Sequence, residues 1–274
     1  MPTVFVPNRH VLVVLALLAT TTRADEPKEK ARDATEPPAF GEFVVIPLRV
    51  HVLKAEDLPE VDCALKDEDI RRIVGKVNRI WHVAGIHWGL ESIAREPAAR
   101  QGRFRLVRDL DGAAPIGLFR VLLPEESRRF DGLHVYYIHK FSVNGIYMGE
   151  DYAIVQETAR LREVEGGIDE PLPRVTAHEL GHALGLPHRQ DRTNLLASGT
   201  TGTLLNKDEV GRVRDRAPKL KGAATVAELR RRAEEAESKG DTARARLLWG
   251  WLAEVPGAGA AEAKGRLEML GPAE

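Results

Sequence analysis

Apolar positions along this chain change period several times, and each change marks an element. Phe43, Val44, Val45 and Ile46 form a continuous apolar run, after which Leu48, Val50 and Val52 alternate with Arg49 and His51. That period of two predicts a strand, with Pro47 implying an edge position or a bulge because it has no N–H to give a ladder. Ile70, Ile73, Val74, Val77, Ile80, Trp81 and Ala84 then recur at helical spacing. They make one stripe of a helix. Asp67, Glu68 and Asp69 sit at its positive end, and Gly85 stops it. Further strands are expected over 86–90, 133–138 and 153–156, with 144–148 as an exposed edge segment. Residues 95–130 have no clean period. A short helix fits 116–123, and the arginines at 95, 100, 103, 105 and 108, diluted by Glu96, Asp109 and Asp111, read as a solvated face,.

Two segments differ in composition from this middle part. At the N-terminus, Arg9 and His10 precede the apolar run Val11 to Ala19, and Thr22 and Ala24 offer small residues before Asp25. Residues 1–24 therefore read as a cleaved signal peptide, since the run is about half of the roughly 20 residues a membrane span needs. This places the chain outside the cytoplasm, secreted or periplasmic, with no stable membrane span after cleavage. Residues 25–41 are a charged, proline-bearing linker. Residues 42–217 form the main domain. From 222 to 274, alanine, arginine and glutamate dominate. Leu229, Ala233 and Ala236 stripe one helix, Gly240-Asp241 turns the chain, and Leu248, Trp251, Leu252 and Val255 stripe a second; a short third helix fits 260–270. The pair resembles one tetratricopeptide unit, in a single copy of a motif that needs stacked neighbours. It is expected as a helical hairpin packed on the main domain, with docking of a protein partner as the other use.

Charge and cysteine content narrow the chemistry. With 40 basic and 41 acidic residues the net charge is −1, which argues against nucleic acid as a partner,. One cysteine excludes an internal disulfide and a thiolate-built metal cluster,. Any metal must be held by histidine and carboxylate. Cys63 itself reads as an inert, partly buried thiol.

The segment 178–188, HELGHALGLPH, meets that requirement. His178 and His182 are four apart on a helix, so both imidazoles project from one face and can grip one ion. Glu179 is poorly placed as a third ligand but well placed to hold a water. Gly185 lets the chain reverse and bring His188 back. Three imidazoles and an open position are the donor set of a hydrolytic zinc centre. With nine histidines and 24 glycines in 274 residues, the glycine and third histidine would both match by chance roughly once in 350,.

HExxHxxGxxH resembles the signature of the metzincin zinc endopeptidases, which include matrixins and astacins. The resemblance implies an α+β fold: a mixed twisted sheet with a backing helix, an active-site helix and, in this chain, the C-terminal helical hairpin. It implies Zn2+ on His178, His182 and His188, and peptide-bond hydrolysis by a zinc-activated water with Glu179 as general base. Protein or peptide substrate would pair along Asn144, Gly145 and Ile146. Two positions depart from the pattern. Leu196 stands where the family's turn carries methionine, and Arg189 follows the third histidine without matching any branch, so the subfamily stays unassigned. The alternative from another class is a catalytically idle, zinc-stabilised binding protein that uses the same groove and the helical tail for partner docking.

Overall fold

The computed structural model describes residues 40, 42–111, 116–257 and 259–271. The readings of a signal peptide at 1–24 and of a linker at 25–41 lie outside the described residues, apart from Phe40. The strands are β1 (Val44–Lys54), β2 (Ile86–Pro97), β3 (Leu133–Ile138), β4 (Gly145–Tyr147), β5 (Tyr152–Gln156) and β6 (Ala224–Thr225). The helices are α1 (Asp67–Trp81), α2 (Gln101–Asp111), α3 (Pro171–Ala183), α4 (Lys207–Arg216), α5 (Val226–Ser238), α6 (Thr242–Glu254) and α7 (Gly259–Met269). They build one mixed sheet in the order β2-β1-β3-β5-β4, with β6 paired to β1 off that path. β1, β2, β3 and β5 run parallel, and β4 is antiparallel to β5. This is the α+β arrangement that the periodicity and the family resemblance imply. Among the described residues no helix is long and apolar enough to cross a membrane.

Alternation along β1 divides the core. Val44, Ile46, Leu48, Val50 and Val52 face the stripe of α1 and the inner side of α3, where Ile70, Ile73, Val77, Trp81, Ala177 and Leu180 are buried with them. Each such side chain contributes about 1.5–3 kcal/mol on burial. The opposite face carries two smaller cores. Leu53 packs with Phe104 of α2 and Phe119, and Val45 packs with α5 and α6.

β1 is central rather than an edge strand, so of the two positions Pro47 implies, the break in register and not the edge is the one the fold contains. On the side away from β2, β1 pairs with β6 over Val44 and Val45 and with β3 from Leu48 onward. Pro47 falls at the changeover, and the register with β2 slips just after it, between Leu48 and Arg49. β2 is longer than the apolar run 86–90 suggested, α2 was not foreseen, and the expected helix near 116–123 is a 3-10 segment, Ile116–Leu122. The arginines behave as a solvated face: Arg95 meets Asp67 at 2.7 Å, Arg100 meets Glu125 at 2.7 Å, and Arg108 meets Glu60.

β2 ends the sheet on one side, and its outer edge is partly covered. Asn78 of α1 accepts from Trp88 N–H at 2.7 Å and donates to Trp88 C=O at 3.1 Å, so one amide does the work of a neighbouring strand,. Trp251 of α6 donates its indole N–H to Leu90 C=O at 3.0 Å. Its ring lies on the β2 backbone so closely that a Cβ at Gly89 would be 2.5 Å from Trp251 Cδ2. The C-terminal segment thus packs on the sheet, as the expected helical pair followed by the short third helix α7. Cys63 is wholly rather than partly buried; its thiol donates to Glu157 at 3.2 Å, and burial raises its pKa far above the usual thiol range.

Candidate metal centre

α3 is buried over almost its whole length, with eleven of its thirteen residues buried. Pro171 and Pro173 occupy its first turn, where a missing N–H costs nothing,. Past its last turn Gly185 adopts φ +83, and the chain turns back through Leu186 to His188. One ligand nitrogen of each of His178, His182 and His188 falls within a single cluster 4.8 Å across. Nε2 of His182 is 3.1 Å from Nε2 of His178 and 3.1 Å from Nε2 of His188.

These short nitrogen–nitrogen distances are not hydrogen bonds. His178 Nδ1 donates to Leu195 C=O at 2.8 Å, and His182 Nδ1 donates to Leu186 C=O at 2.8 Å. Each neutral ring then has only a lone pair at Nε2. Two lone pairs 3.1 Å apart repel unless a cation sits between them, and the edge of a tetrahedron of zinc–imidazole bonds of about 2.0–2.1 Å is about 3.3 Å. Carbonyls that fix the far nitrogen are also the usual outer support of a histidine ligand. The donor set therefore fits a divalent zinc ion.

The surroundings favour neutral, ligand-competent rings. Burial, and then the Arg174 guanidinium, push the His178 pKa down to about 3; burial also lowers that of His182. Glu179 is buried, which pushes its carboxyl up to about 7 in the metal-free protein, against the opposing pull of Tyr147 N–H and Arg174. β4 crosses directly over this carboxylate: a Cβ at Gly145 would lie 2.7 Å from Val175 Cγ1 and 3.0 Å from Glu179 Oε1. Only glycine allows the edge strand this close to α3. A cleft of about 670 Å3 runs between them, lined by β4, the three histidines, Glu179, Leu161, Val175, Ser198 and Gly199.

Of the segment expected to meet substrate, Gly145 and Ile146 lie in β4, whose outer edge no strand occupies among the described residues. Asn144 just precedes it, and its side chain is committed elsewhere. It donates to Arg160 C=O at 2.7 Å and accepts from Gln156 and from Arg160 N–H, each at 3.1 Å.

Leu196 lies wholly buried beneath α3, against the Cα of Gly181, where an added Cβ would be 3.3 Å from Leu196 Cδ1. Two charged residues that the motif does not name hold this turn. Arg174, 1% exposed, donates to Gly202 C=O at 3.0 Å and to Ala197 C=O, and its Nη1 comes 3.0 Å from His178 Nδ1. The last approach is a contact between two donors, because that nitrogen's proton already points at Leu195. Burial lowers the Arg174 pKa to about 10. On the other side Glu209, fully buried, accepts from Arg189 Nε at 2.6 Å and from Asn194 Nδ2 at 2.8 Å.

A mixed sheet with an antiparallel edge strand over a helix that carries two of three converging histidines defines a metallohydrolase-type site. The family model for matrixin matches residues 116–213, a little over a third of the chain, running from before β3 into α4. That likeness and the triad together support a metzincin-like protein without selecting a subfamily. No curated protein sequence matches the chain.

Proposed function

We propose that this protein is an extracytoplasmic zinc endopeptidase with Glu179 as general base. The observation that carries the reading is the convergence of three Nε2 atoms, two of them oriented by backbone carbonyls, beside a buried carboxylate under an open strand edge. His178, His182 and His188 would hold the ion. Bound zinc would supply Lewis acidity toward a water and the scissile carbonyl. Glu179, buried beneath β4, accepts the proton of the attacking water and returns it to the leaving amine,. The free edge of β4 accepts the substrate backbone as an added strand, so that chain direction and register, rather than one side chain, align the peptide. Leu161 and Val175 make one wall of the cleft apolar, which suits a medium apolar side chain beyond the scissile bond.

A mixed peptide library tests the reading. Cleavage that stops with a chelator and returns on zinc addition is expected; no cleavage by the zinc-loaded protein, or cleavage indifferent to chelation, rejects it. Ile146→Pro tests the strand-addition step and should depress peptide turnover at least tenfold while zinc content is unchanged.

A further inference from the structure

The three histidines are not equally supported. His178 and His182 share one helix, and each ring is fixed through Nδ1 to a carbonyl. His188 stands on irregular chain past Gly185 and is exposed, and among the described residues its Nδ1 has no hydrogen bond. Its position is therefore set by backbone. The residue that follows it is tied twice: Arg189 N–H donates to Leu196 C=O at 3.0 Å, and Arg189 Nε donates to Glu209 at 2.6 Å.

Glu209 is more than a helix cap. Asn206 Oδ1 accepts from Glu209 N–H at 2.9 Å and Glu209 Oε2 accepts from Asn206 N–H at 2.8 Å, a reciprocal box that starts α4,. Such a box works at the surface, whereas this carboxylate has no exposed area and has lost its water,. Its remaining bonds all lead to the site. Arg189 carries it to the third ligand. Asn194 carries it to the turn, because Asn194 Nδ2 donates to Glu209 while Asn194 Oδ1 accepts from Leu196 N–H at 2.7 Å.

We propose that Glu209, acting through Arg189 and Asn194, is the positioning residue for His188 and for the Leu196 turn. This rests on the triad being a zinc site. It gives both departures from the family pattern one physical role: the cation after the third histidine anchors to a buried anion on α4, and the same anion fixes the turn that lacks methionine. Neither Glu209 nor Arg189 lines the cleft or belongs to the triad.

The full chain is freed of metal and titrated with zinc against a competing chelator, and with cobalt(II) followed by its visible absorption. Arg189→Met and Glu209→Gln should each weaken zinc binding about 10–100-fold, the range found when outer support of a histidine ligand is removed. The cobalt spectrum should lose intensity as His188 drifts out of the coordination sphere. Arg189→Lys, which retains a cation opposite Glu209, should stay near the wild type. Wild-type affinity and spectrum in both Arg189→Met and Glu209→Gln overturn the inference, as does a fall in metal-free stability with no change in affinity. Should Glu209→Gln not fold, Arg189→Met decides, its side chain being about a third exposed. A wild-type chain that takes up no zinc rejects the zinc-site reading itself, an outcome separate from unaffected variants of a binding protein.

Discussion

The ground beneath the triad and the C-terminal helices bury their contents in opposite ways. Around the triad the buried groups include Arg174, His178, Asn194 and Glu209, all at most 6% exposed, and each is held by named hydrogen bonds. In the C-terminal part the buried groups are Leu229, Ala233, Leu248, Trp249, Trp251 and Leu252, while charges such as Glu228 with Arg231 and Glu235 with Lys239 pair on the surface. Apolar contacts are non-directional, so the helical part is tolerant and its energy follows area. Buried polar networks lose most when one partner goes and the rest are left unsatisfied. The chain thus places directional bonding where three rings must converge and uses area where it only has to cover a sheet.

The largest effect that would sharpen this contrast is in stability. Trp251→Ala removes the ring that lies on Gly89 and the donor to Leu90 C=O, and should cost about 3–5 kcal/mol by urea unfolding. Zinc affinity should be unchanged. A loss under about 1 kcal/mol would mean that α6 contributes little to holding β2.

A smaller effect is expected from pH in the metal-free protein. The His178 ring takes a proton near pH 6.5 when unfolded but only near 3 when folded, so the unfolded state binds more protons between those values and stability falls as pH drops through that window,. Glu179 acts in the other sense. Its folded carboxyl is protonated from about pH 7 while the unfolded one waits until about 4.5, so it adds stability as pH falls through that interval,. Burial lowers His182 as well, so it adds to the His178 loss below pH 6.5, and Glu179 offsets part of that loss down to about pH 4.5,. Removing the carboxyl with Glu179→Gln should therefore make the loss of stability between about pH 6.5 and 4.5 steeper than in the wild type,. Identical stability profiles for the two proteins, measured by unfolding in the presence of a chelator, would contradict the assignment.

The smallest effect concerns the turn. Leu196→Met exchanges two apolar side chains of similar volume against Gly181 and should change stability by less than about 1.5 kcal/mol,. Zinc binding should be indistinguishable from the wild type in a chelator competition. A large gain in affinity would show that leucine is a defect at this position.

Much of this architecture can be read from periodicity, and the exceptions have physical causes. α1 is legible because its stripe is continuous and capped by charge at one end and glycine at the other. α2 is not, because Phe104 is buried while Leu106 on the same helix is 62% exposed, so too few apolar positions mark a face. Pro47 implies an edge or a bulge because a proline cannot serve a ladder, and the fold takes the second course, with a register shift just after it where β6 stops and β3 begins. The histidines and Glu179 are legible from spacing, since the chemistry of one ion dictates it. Arg174 and Glu209 are not, because either reads as an ordinary helix charge. One signal was present: Arg174 lies four residues before His178, on the same face of a helix apolar on nearly every side, so its charge had to be satisfied inside.

The most direct test of the central claim pairs two readouts on one substitution. Glu179→Gln should retain one zinc per chain by metal analysis and lose peptide turnover by at least about 10²-fold, the scale of a general base. Equal cleavage by the variant and the wild type would contradict the account.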